Sequence, residues 1–213
     1  MSYKTLREKV VIYVKSKILK GEIKQGSKIN ENELAKELGI SRGPVREALR
    51  QIEQEGLVTY LPNKGCSVTT LTPEDMTEMY LIRSSLEALA VKICNGRYSK
   101  GSIRIMENAI KEIEHAAQSD DLVGIIKWDQ EFHKAIVKES GKKRLLNLWS
   151  TTDGANVATF YTMYNAKYIC MEILGNNHKI LVEAIKTGNV SIICEGIHYH
   201  YICVPEYLIS KLN

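Results

Sequence analysis

The 213-residue sequence is long enough for one large domain or two small ones, since globular domains usually hold about 100–200 residues. It is 44% hydrophobic and 25% charged, with 14 glycines and 4 prolines, which excludes collagen-like, low-complexity and largely disordered chains. The net charge of +4 is unevenly divided. Residues 1–72 contain 13 Lys and Arg against 8 Asp and Glu, a net +5, whereas residues 73–213 contain 16 against 17, a net −1. The basic N-terminal part is therefore suited to a polyanion.

The sequence indicates neither a membrane protein nor an oxidising compartment. It has no run of about 18 apolar residues that could cross a membrane. Its start lacks the apolar core and the small-residue cleavage site of a signal peptide. The five cysteines are odd in number and form no C-x-x-C pair, which disfavours a disulfide framework. We therefore expect a cytoplasmic protein without a membrane partner.

Residues 1–72 predict a winged helix-turn-helix domain. Apolar residues at helical spacing indicate three short helices, at about 5–20, 31–38 and 41–55. Two β-rich runs, 57–61 and 66–70, flank a Pro-Asn-Lys-Gly turn and indicate a hairpin. Three short helices followed by a hairpin are the elements of a winged helix-turn-helix in their usual order.

Residues 73–213 predict a second domain that is an all-α bundle, so the fold class as a whole is mainly α. The strand signal nearly vanishes after residue 72, and glycines punctuate the helical patterns. Whether the fourth of these helices breaks at Gly154 is left open by the sequence. The predicted helices lie at about 73–96, 101–118, 121–139, 142–165, 169–187 and 190–212.

The third predicted helix carries a row of arginines. Arg42, Arg46 and Arg50 are four residues apart and therefore share one face, opposite the apolar positions of the same helix. An arginine fork can read guanine in the major groove, so this helix is a candidate recognition helix. The alternative is that the three arginines form an ordinary solvated face.

Two further places suit the DNA backbone. Ser41 stands at the start of the candidate recognition helix, where a hydroxyl and free backbone N–H groups suit a phosphate. Asn63, Lys64 and Gly65 form the predicted tip of the wing. We expect the tip to enter the adjacent minor groove, since glycine allows the backbone to approach closely.

All five histidines lie in the second domain, and three of them belong to a candidate metal site. Asp129 and His133 are four residues apart, so their side chains share one helical face. His178 and His200 flank a predicted turn at 187–189, so two antiparallel helices would bring them to the same height. One carboxylate and three imidazoles suit zinc or nickel. The alternative is that these are unconnected surface or capping residues.

Long stretches of the sequence resemble the gluconate-repressor (GntR) family of bacterial regulators, in its fatty-acid-regulator (FadR) branch with an FCD effector domain. The resemblance covers nearly the whole chain. One departure is Ser140-Gly141-Lys142, where the family has Ser-Gly-Asn, so an asparagine contact is absent. The resemblance is carried by Gly26-Ser27-Lys28-Ile29, Glu33-Leu34-Ala35, Leu38-Gly39-Ile40-Ser41-Arg42-Gly43-Pro44-Val45-Arg46-Glu47-Ala48-Leu49, Glu55-Gly56-Leu57-Val58, Gly65 with Val68, and Tyr80-Leu81-Ile82-Arg83-Ser84-Ser85-Leu86-Glu87.

The resemblance implies roles for particular residues of the second domain. It assigns metal ligation to the four candidates named above and leaves His115 and His198 outside the site. Arg83 matches the family's pocket arginine, which implies a bidentate pair with an effector carboxylate. An internal salt bridge of Arg83 with Glu87 or Glu131 remains the alternative.

Taken together, the sequence predicts a homodimeric transcription regulator, a repressor by family precedent, that binds a pseudo-palindromic double-stranded DNA operator. Its effector is expected to be a small organic acid bound next to a divalent metal. One alternative is a metal sensor with no organic effector. Another is a metal-dependent enzyme with an accessory helix-turn-helix, but no HExxH or triad-like element supports it, and we expect no enzyme activity.

Overall fold

The protein consists of two compact units, Met1–Thr70 and Leu71–Asn213. They are seen in a computed structural model that describes residues 5–61, 65–165 and 171–212, and the side chains of these except 164–165, 171–173 and 203–212.

The first unit is a winged helix-turn-helix, as predicted. Its three antiparallel strands are in the order β1-β3-β2. The strand β1 was not predicted, because a run of two residues is too short to show the alternation that marks a strand. The elements of this unit are α1 (Leu6–Leu19), β1 (Lys28–Ile29), α2 (Glu31–Leu38), α3 (Arg42–Gln54), β2 (Val58–Leu61) and β3 (Gly65–Val68).

The turn between α2 and α3 follows from its local sequence. The side chain of Asn30 accepts hydrogen bonds from the first backbone N–H groups of α2 and so caps the helix. Gly39 ends α2 with a φ of 65°, the left-handed conformation that glycine adopts without strain. The helix α3 then buries one apolar face completely, so that its polar face is left exposed to solvent. The buried residues of α3 are Val45, Ala48, Leu49 and Ile52.

The second unit is helical throughout its described part, which confirms the predicted fold class. Among the described residues, no helix is long and apolar enough to span a membrane. Its helices are α4 (Pro73–Ile93), α5 (Lys100–Gln118), α6 (Leu122–Lys138), α7 (Lys143–Ser150), α8 (Asp153–Asn165), α9 (Met171–Lys186) and α10 (Val190–Leu212).

The helical pattern predicted over 142–165 forms two helices, α7 and α8. The break between them lies just before Gly154. Thr151 donates its hydroxyl hydrogen to the carbonyl of Leu148 at 2.6 Å, and Thr152 donates to the carbonyl of Trp149 at the same distance. Hydroxyls that bond to nearby carbonyls compete with the helical ladder, and here they close the end of α7.

One buried apolar cluster joins the helices of the second unit. Every one of α4, α5, α6, α8, α9 and α10 contributes to it. Phe132 of α6, Leu181 of α9 and Ile197 of α10 are fully enclosed in it. Because these three helices are fixed side by side, polar residues on their facing sides are brought together.

The connection between α4 and α5 and the connection between α9 and α10 contact each other at a pair of glycines. Gly96, between α4 and α5, has a φ of 68°, and a Cβ added there would lie 2.5 Å from the carbonyl oxygen of Gly188, between α9 and α10. Gly141 has nearly the same φ, 65°, but an added Cβ would meet no atom within 4 Å. A side chain at either Gly96 or Gly141 would strain the backbone conformation, but only at Gly96 would it also lack space.

We expect Gly141→Ala to lower the free energy of unfolding by about 1 kcal/mol, the cost of a left-handed L-residue. Gly96→Ala should cost about 2 kcal/mol more, because the backbone must also shift. Urea unfolding of both variants checks this. Equal losses for the two variants would contradict the close approach at Gly96.

Candidate metal centre and nucleic-acid interface

In the first unit, the candidate recognition helix presents its arginines to solvent. The side chains of Arg42, Arg46 and Arg50 on α3 are each more than half exposed. They lie opposite the buried apolar face of the same helix. This face is cationic and accessible, as major-groove binding requires.

A single acidic residue holds two of these arginines. The Oε2 of Glu31, at the start of α2, lies 3.4 Å from Nε of Arg46 and 3.7 Å from Nη2 of Arg42. Its Oε1 accepts a hydrogen bond of 2.9 Å from the hydroxyl of Tyr60. Burial opposes ionisation, but the Tyr60 hydrogen bond and the charge of Arg46 hold the pKa of Glu31 below its ordinary value. The sequence did not predict this role of Glu31, because no spacing rule relates a residue at the start of α2 to residues on α3.

Arg50 is positioned separately from the other two arginines. Its Nη1 lies 2.8 Å from Oε2 of Glu53 on the same helix. Its guanidinium also stacks 4.3 Å above the ring of Tyr60 on β2. Such exposed contacts contribute little to stability. They orient the side chain of Arg50 without fixing it in place.

The remaining predicted DNA contacts lie at the two ends of this surface. Ser41 occupies the N-cap position of α3, but its side chain makes no capping hydrogen bond. Gly65 is exposed at the start of β3 with a φ of 84° and open space around it. Asn63 and Lys64 lie outside the described residues.

In the second unit, three helices bring together the four residues predicted as metal ligands. Asp129 and His133 lie on α6, His178 on α9 and His200 on α10. One potential ligand atom from each lies within 4.8 Å of every other. Asp129, His133 and His178 are almost completely buried. His133 and His178 are 45 residues apart in the sequence, and His178 and His200 are 22 apart. The packing of α6, α9 and α10 brings them together.

The nitrogen and oxygen lone pairs of this cluster converge. The Nδ1 of His178 donates to the carbonyl of Leu174 at 2.8 Å, which leaves the lone pair of a neutral ring on Nε2. That Nε2 lies 3.1 Å from Oδ1 of Asp129. Two lone pairs at this distance repel each other unless a second ring proton or another cation is present.

His133 has the same arrangement. Its Nδ1 donates to Oε2 of Glu87 at 2.9 Å, and its Nε2 lies 3.2 Å from Nε2 of His200 and 3.7 Å from Oδ1 of Asp129. Ligands of a tetrahedral zinc ion are about 3.3 Å apart, given bonds of about 2.0–2.1 Å. The donor set, its spacing and the outward-facing Nδ1 atoms therefore fit a divalent metal ion.

Electrostatics keep two of the four groups in the forms that bind a cation. Burial opposes ionisation of Asp129, but the charge of His133 and the hydrogen bond from His178 hold its pKa well below the ordinary value. Burial, with His178 and His133 alongside, lowers the pKa of His200 well below its ordinary value. Asp129 is thus an anion and His200 a neutral imidazole, which are the forms that bind metals.

Glu87 of α4 supports the cluster from behind, and it was missed as a site residue in the sequence. Besides His133, it accepts hydrogen bonds from Nε1 of Trp149 at 3.0 Å and from the hydroxyl of Tyr201 at 2.6 Å. Its side chain is completely buried. A carboxylate behind a metal-binding histidine fixes the ring orientation and raises its basicity. The only signal in the sequence was its spacing of four from Arg83.

Arg83 is completely buried next to this shell. Its Nε donates to the Tyr201 hydroxyl at 3.2 Å, and its Nη1 donates to Oγ1 of Thr152 at 2.9 Å and Oδ1 of Asp153 at 3.3 Å. Its guanidinium also stacks 4.2 Å from the ring of Trp149. Its Nη2 is buried without a hydrogen-bond partner in the described part of the chain. Arg83 therefore has one donor group available for a ligand.

The remaining candidates lie elsewhere. The ion pair of Arg83 is with Asp153 rather than with Glu87 or Glu131, and Glu131 pairs with Lys134 on the surface. His115 and His198 are exposed and outside the cluster.

Models of two protein families match the chain. Residues 6–68 match the gntR family of bacterial regulatory proteins, and residues 78–202 match the FCD domain. The two matches correspond to the winged helix-turn-helix and to the helical unit that holds the His/Asp cluster.

Individual proteins are similar over nearly the full length. The HTH-type transcriptional regulator YdhC of Bacillus subtilis is 32% identical over 89% of this chain and 86% of its own. The probable D-xylose utilization operon transcriptional repressor of Paenarthrobacter nicotinovorans is 28% identical over 96% and 88%. Among solved structures, Escherichia coli McbR/YncC has the same fold, with a TM-score of 0.78, 20% identity and coverage of 99% and 100%.

Proposed function

The chain belongs to the gntR family of bacterial regulatory proteins, with a C-terminal FCD domain, and from this premise we propose a homodimeric repressor controlled by a small carboxylic acid bound next to a divalent metal. The family consists of DNA-binding transcription regulators rather than enzymes. Repression is supported by the similarity to a relative that is a probable operon repressor. We place its action in the cytoplasm, on a pseudo-palindromic operator.

The metal proposal rests on the convergent lone pairs. Asp129, His133, His178 and His200 would hold the ion, and Glu87 would orient His133. When bound, the ion would supply a positive charge, and it would take an anionic oxygen by expanding from four to five ligands. Zinc and nickel suit the three imidazoles best.

The effector proposal is carried by one observation, the buried Arg83 with its unpaired Nη2. A buried donor without an acceptor is costly, and a carboxylate is the strongest acceptor for a guanidinium. Tyr201 links Arg83 to the cluster, because its hydroxyl lies 3.2 Å from both Nε of Arg83 and Nδ1 of His133. A ligand at Nη2 would therefore be connected to the cluster through Arg83, Tyr201 and His133.

The proposed effector would enter a site whose charges are balanced. Arg83 and a divalent ion would carry three positive charges, and the carboxylates of Asp129, Glu87 and Asp153 face them. The choice of a carboxylic acid therefore rests on the free Nη2 of Arg83 and not on a net charge. Such an effector would change operator affinity only through its different affinity for the two states of the dimer.

The first prediction concerns the metal. Protein purified without added metal should contain about one divalent ion per chain, and His178→Ala should lose it because a ligand is removed. His198→Ala, which changes an exposed histidine outside the cluster, should retain the ion. Elemental analysis of the three proteins measures this, and absence of metal from the unsubstituted protein would refute the site.

The second prediction concerns DNA. A duplex selected from a random library by the purified protein should be bound at least about tenfold more weakly by Arg46→Ala, since each arginine–guanine pair contributes about 1–3 kcal/mol of discrimination. Arg144→Ala, an exposed arginine of the helical unit, is the control. Fluorescence anisotropy with the selected and a shuffled duplex measures selectivity. Retained selectivity in Arg46→Ala would contradict the role of α3.

The third prediction concerns the effector. Short mono-, di- and tricarboxylic acids are tested on the metal-loaded protein, with the corresponding amides as uncharged controls. At least one acid should raise the Tm and change affinity for the selected duplex, since ligand binding stabilises the folded state. Arg83→Lys should weaken this response about 10-fold or more, because lysine lacks the planar fork.

The effector experiment also distinguishes the proposed function from the alternative of a metal sensor. If the metal alone switches DNA binding and no acid has an effect, the protein is a metal sensor and the effector proposal fails.

A further inference from the structure

The four residues of the His/Asp cluster differ in their exposure to solvent. Asp129, His133 and His178 are each at most 3% exposed, whereas His200 is partly exposed. The ring of His200 lies against the other two imidazoles, with centroid distances of 4.6 Å to His178 and 4.9 Å to His133. His200 is therefore the member of the cluster that solvent reaches most easily.

The other side of the cluster is enclosed by the core. The ring of Phe132, which is completely buried, lies 5.2 Å from the ring of His133 and 4.7 Å from that of His178. Glu87 and Tyr201, both buried, cover the Nδ1 of His133. An ion that approached from these directions would have to pass through packed side chains.

A narrow groove between α9 and α10 lies on the side of His200. Its volume is about 10 Å³, which is room for about one water molecule. Leu181, which is buried, forms its inner side, while Ile180 and Tyr199, which are 51% and 63% exposed, form its outer side. We define the α9–α10 groove by the residues that line it, which are Asn177, Ile180, Leu181, Gly196, Tyr199 and His200.

The ring of His200 is also held less firmly than the other two imidazoles. The Nδ1 atoms of His133 and His178 donate to Glu87 and to a backbone carbonyl of α9. The backbone of Asn177 acts on the His200 ring, but the Nδ1 of this ring is buried without a hydrogen-bond partner in the described part of the chain. When Nε2 of a neutral imidazole binds a metal ion, the ring proton is on Nδ1. In His200 that proton would lack an acceptor, so His200 is the weakest of the three imidazole ligands.

We propose that the α9–α10 groove is the passage by which the metal ion enters and leaves the proposed site, and that His200 is the ligand that detaches first. Detachment of His200 leaves Asp129, His133 and His178, and three protein ligands with a water molecule are enough to hold zinc. A hydrated ion is larger than one water molecule, so its passage requires a side chain of the groove to move.

The passage is tested by narrowing the groove without changing a ligand. Ile180→Trp should slow both zinc uptake and zinc release about tenfold, because binding then requires an additional movement, and should leave the equilibrium affinity unchanged. Ile192→Trp on α10 is the control, since Ile192 is 45% exposed against 51% for Ile180 and lies outside the lining of the groove. Stopped-flow mixing measures uptake by the metal-free protein. It also measures release to a chromophoric chelator at concentrations that no longer affect the rate.

The two tryptophan variants have outcomes that decide the proposal. Circular dichroism confirms that both are folded. Equal rates in Ile180→Trp and Ile192→Trp would overturn the passage. A change in release without a matching change in uptake would also overturn it, because a passage affects both directions equally.

The order of detachment is tested by removing one ligand at a time. His200→Ala should retain about one zinc ion per chain and release it at least about tenfold faster, because water can take the vacated position through the groove. His178→Ala should lose the ion, because its position is buried. Elemental analysis and the same chelator measurement compare the two variants. Loss of zinc from His200→Ala as complete as that from His178→Ala would overturn the role of His200.

This inference rests on the metal site of the proposed function and adds the route of the ion. Absence of zinc from the unsubstituted protein after loading would overturn both the site and the passage. If the unsubstituted protein holds zinc and Ile180→Trp exchanges it at the unsubstituted rate, only the passage is wrong and the proposed function stands.

Discussion

The second unit depends on what lies between the buried polar groups that face one another across α6, α9 and α10. Asp129, His133, His178 and His200 each offer a ligand atom within 4.8 Å of the others, and the outer hydrogen bonds of His133 and His178 direct their Nε2 atoms inward. This arrangement is unfavourable unless a metal ion or an additional ring proton lies between the groups. An ion at this place would therefore act as a bond between three helices, and its loss would loosen the core where they meet.

Glu87 connects this centre to the rest of the helical unit. It accepts hydrogen bonds from His133 on α6, Trp149 on α7 and Tyr201 on α10, while it belongs to α4 itself. Arg83, one turn earlier on α4, is joined to the same network through Tyr201. A ligand at Arg83 would thus act on α4, the helix that Glu87 connects to α6, α7 and α10.

The winged helix-turn-helix uses electrostatics differently, since its charges are exposed. Glu31 holds Arg42 and Arg46 by contacts that are weak in water. Weak contacts orient the arginines and can be exchanged, as the proposed binding of α3 to DNA requires. In the helical unit the charges are buried and costly to separate. Arginine and carboxylate side chains are therefore held in fixed positions there.

The sequence alone determined what depends on neighbours along the chain. Helical periodicity, Asn30 as a cap and Gly39 in a left-handed turn predicted the elements, and the spacing of Asp129 and His133 placed two ligands on one face. The break between α7 and α8, the strand β1 and the partners of Glu31, Glu87 and Arg83 were decided only by tertiary structure. The reason is that these contacts join residues up to 118 positions apart, as in the bond between Arg83 and Tyr201, and local propensity carries no information over such distances.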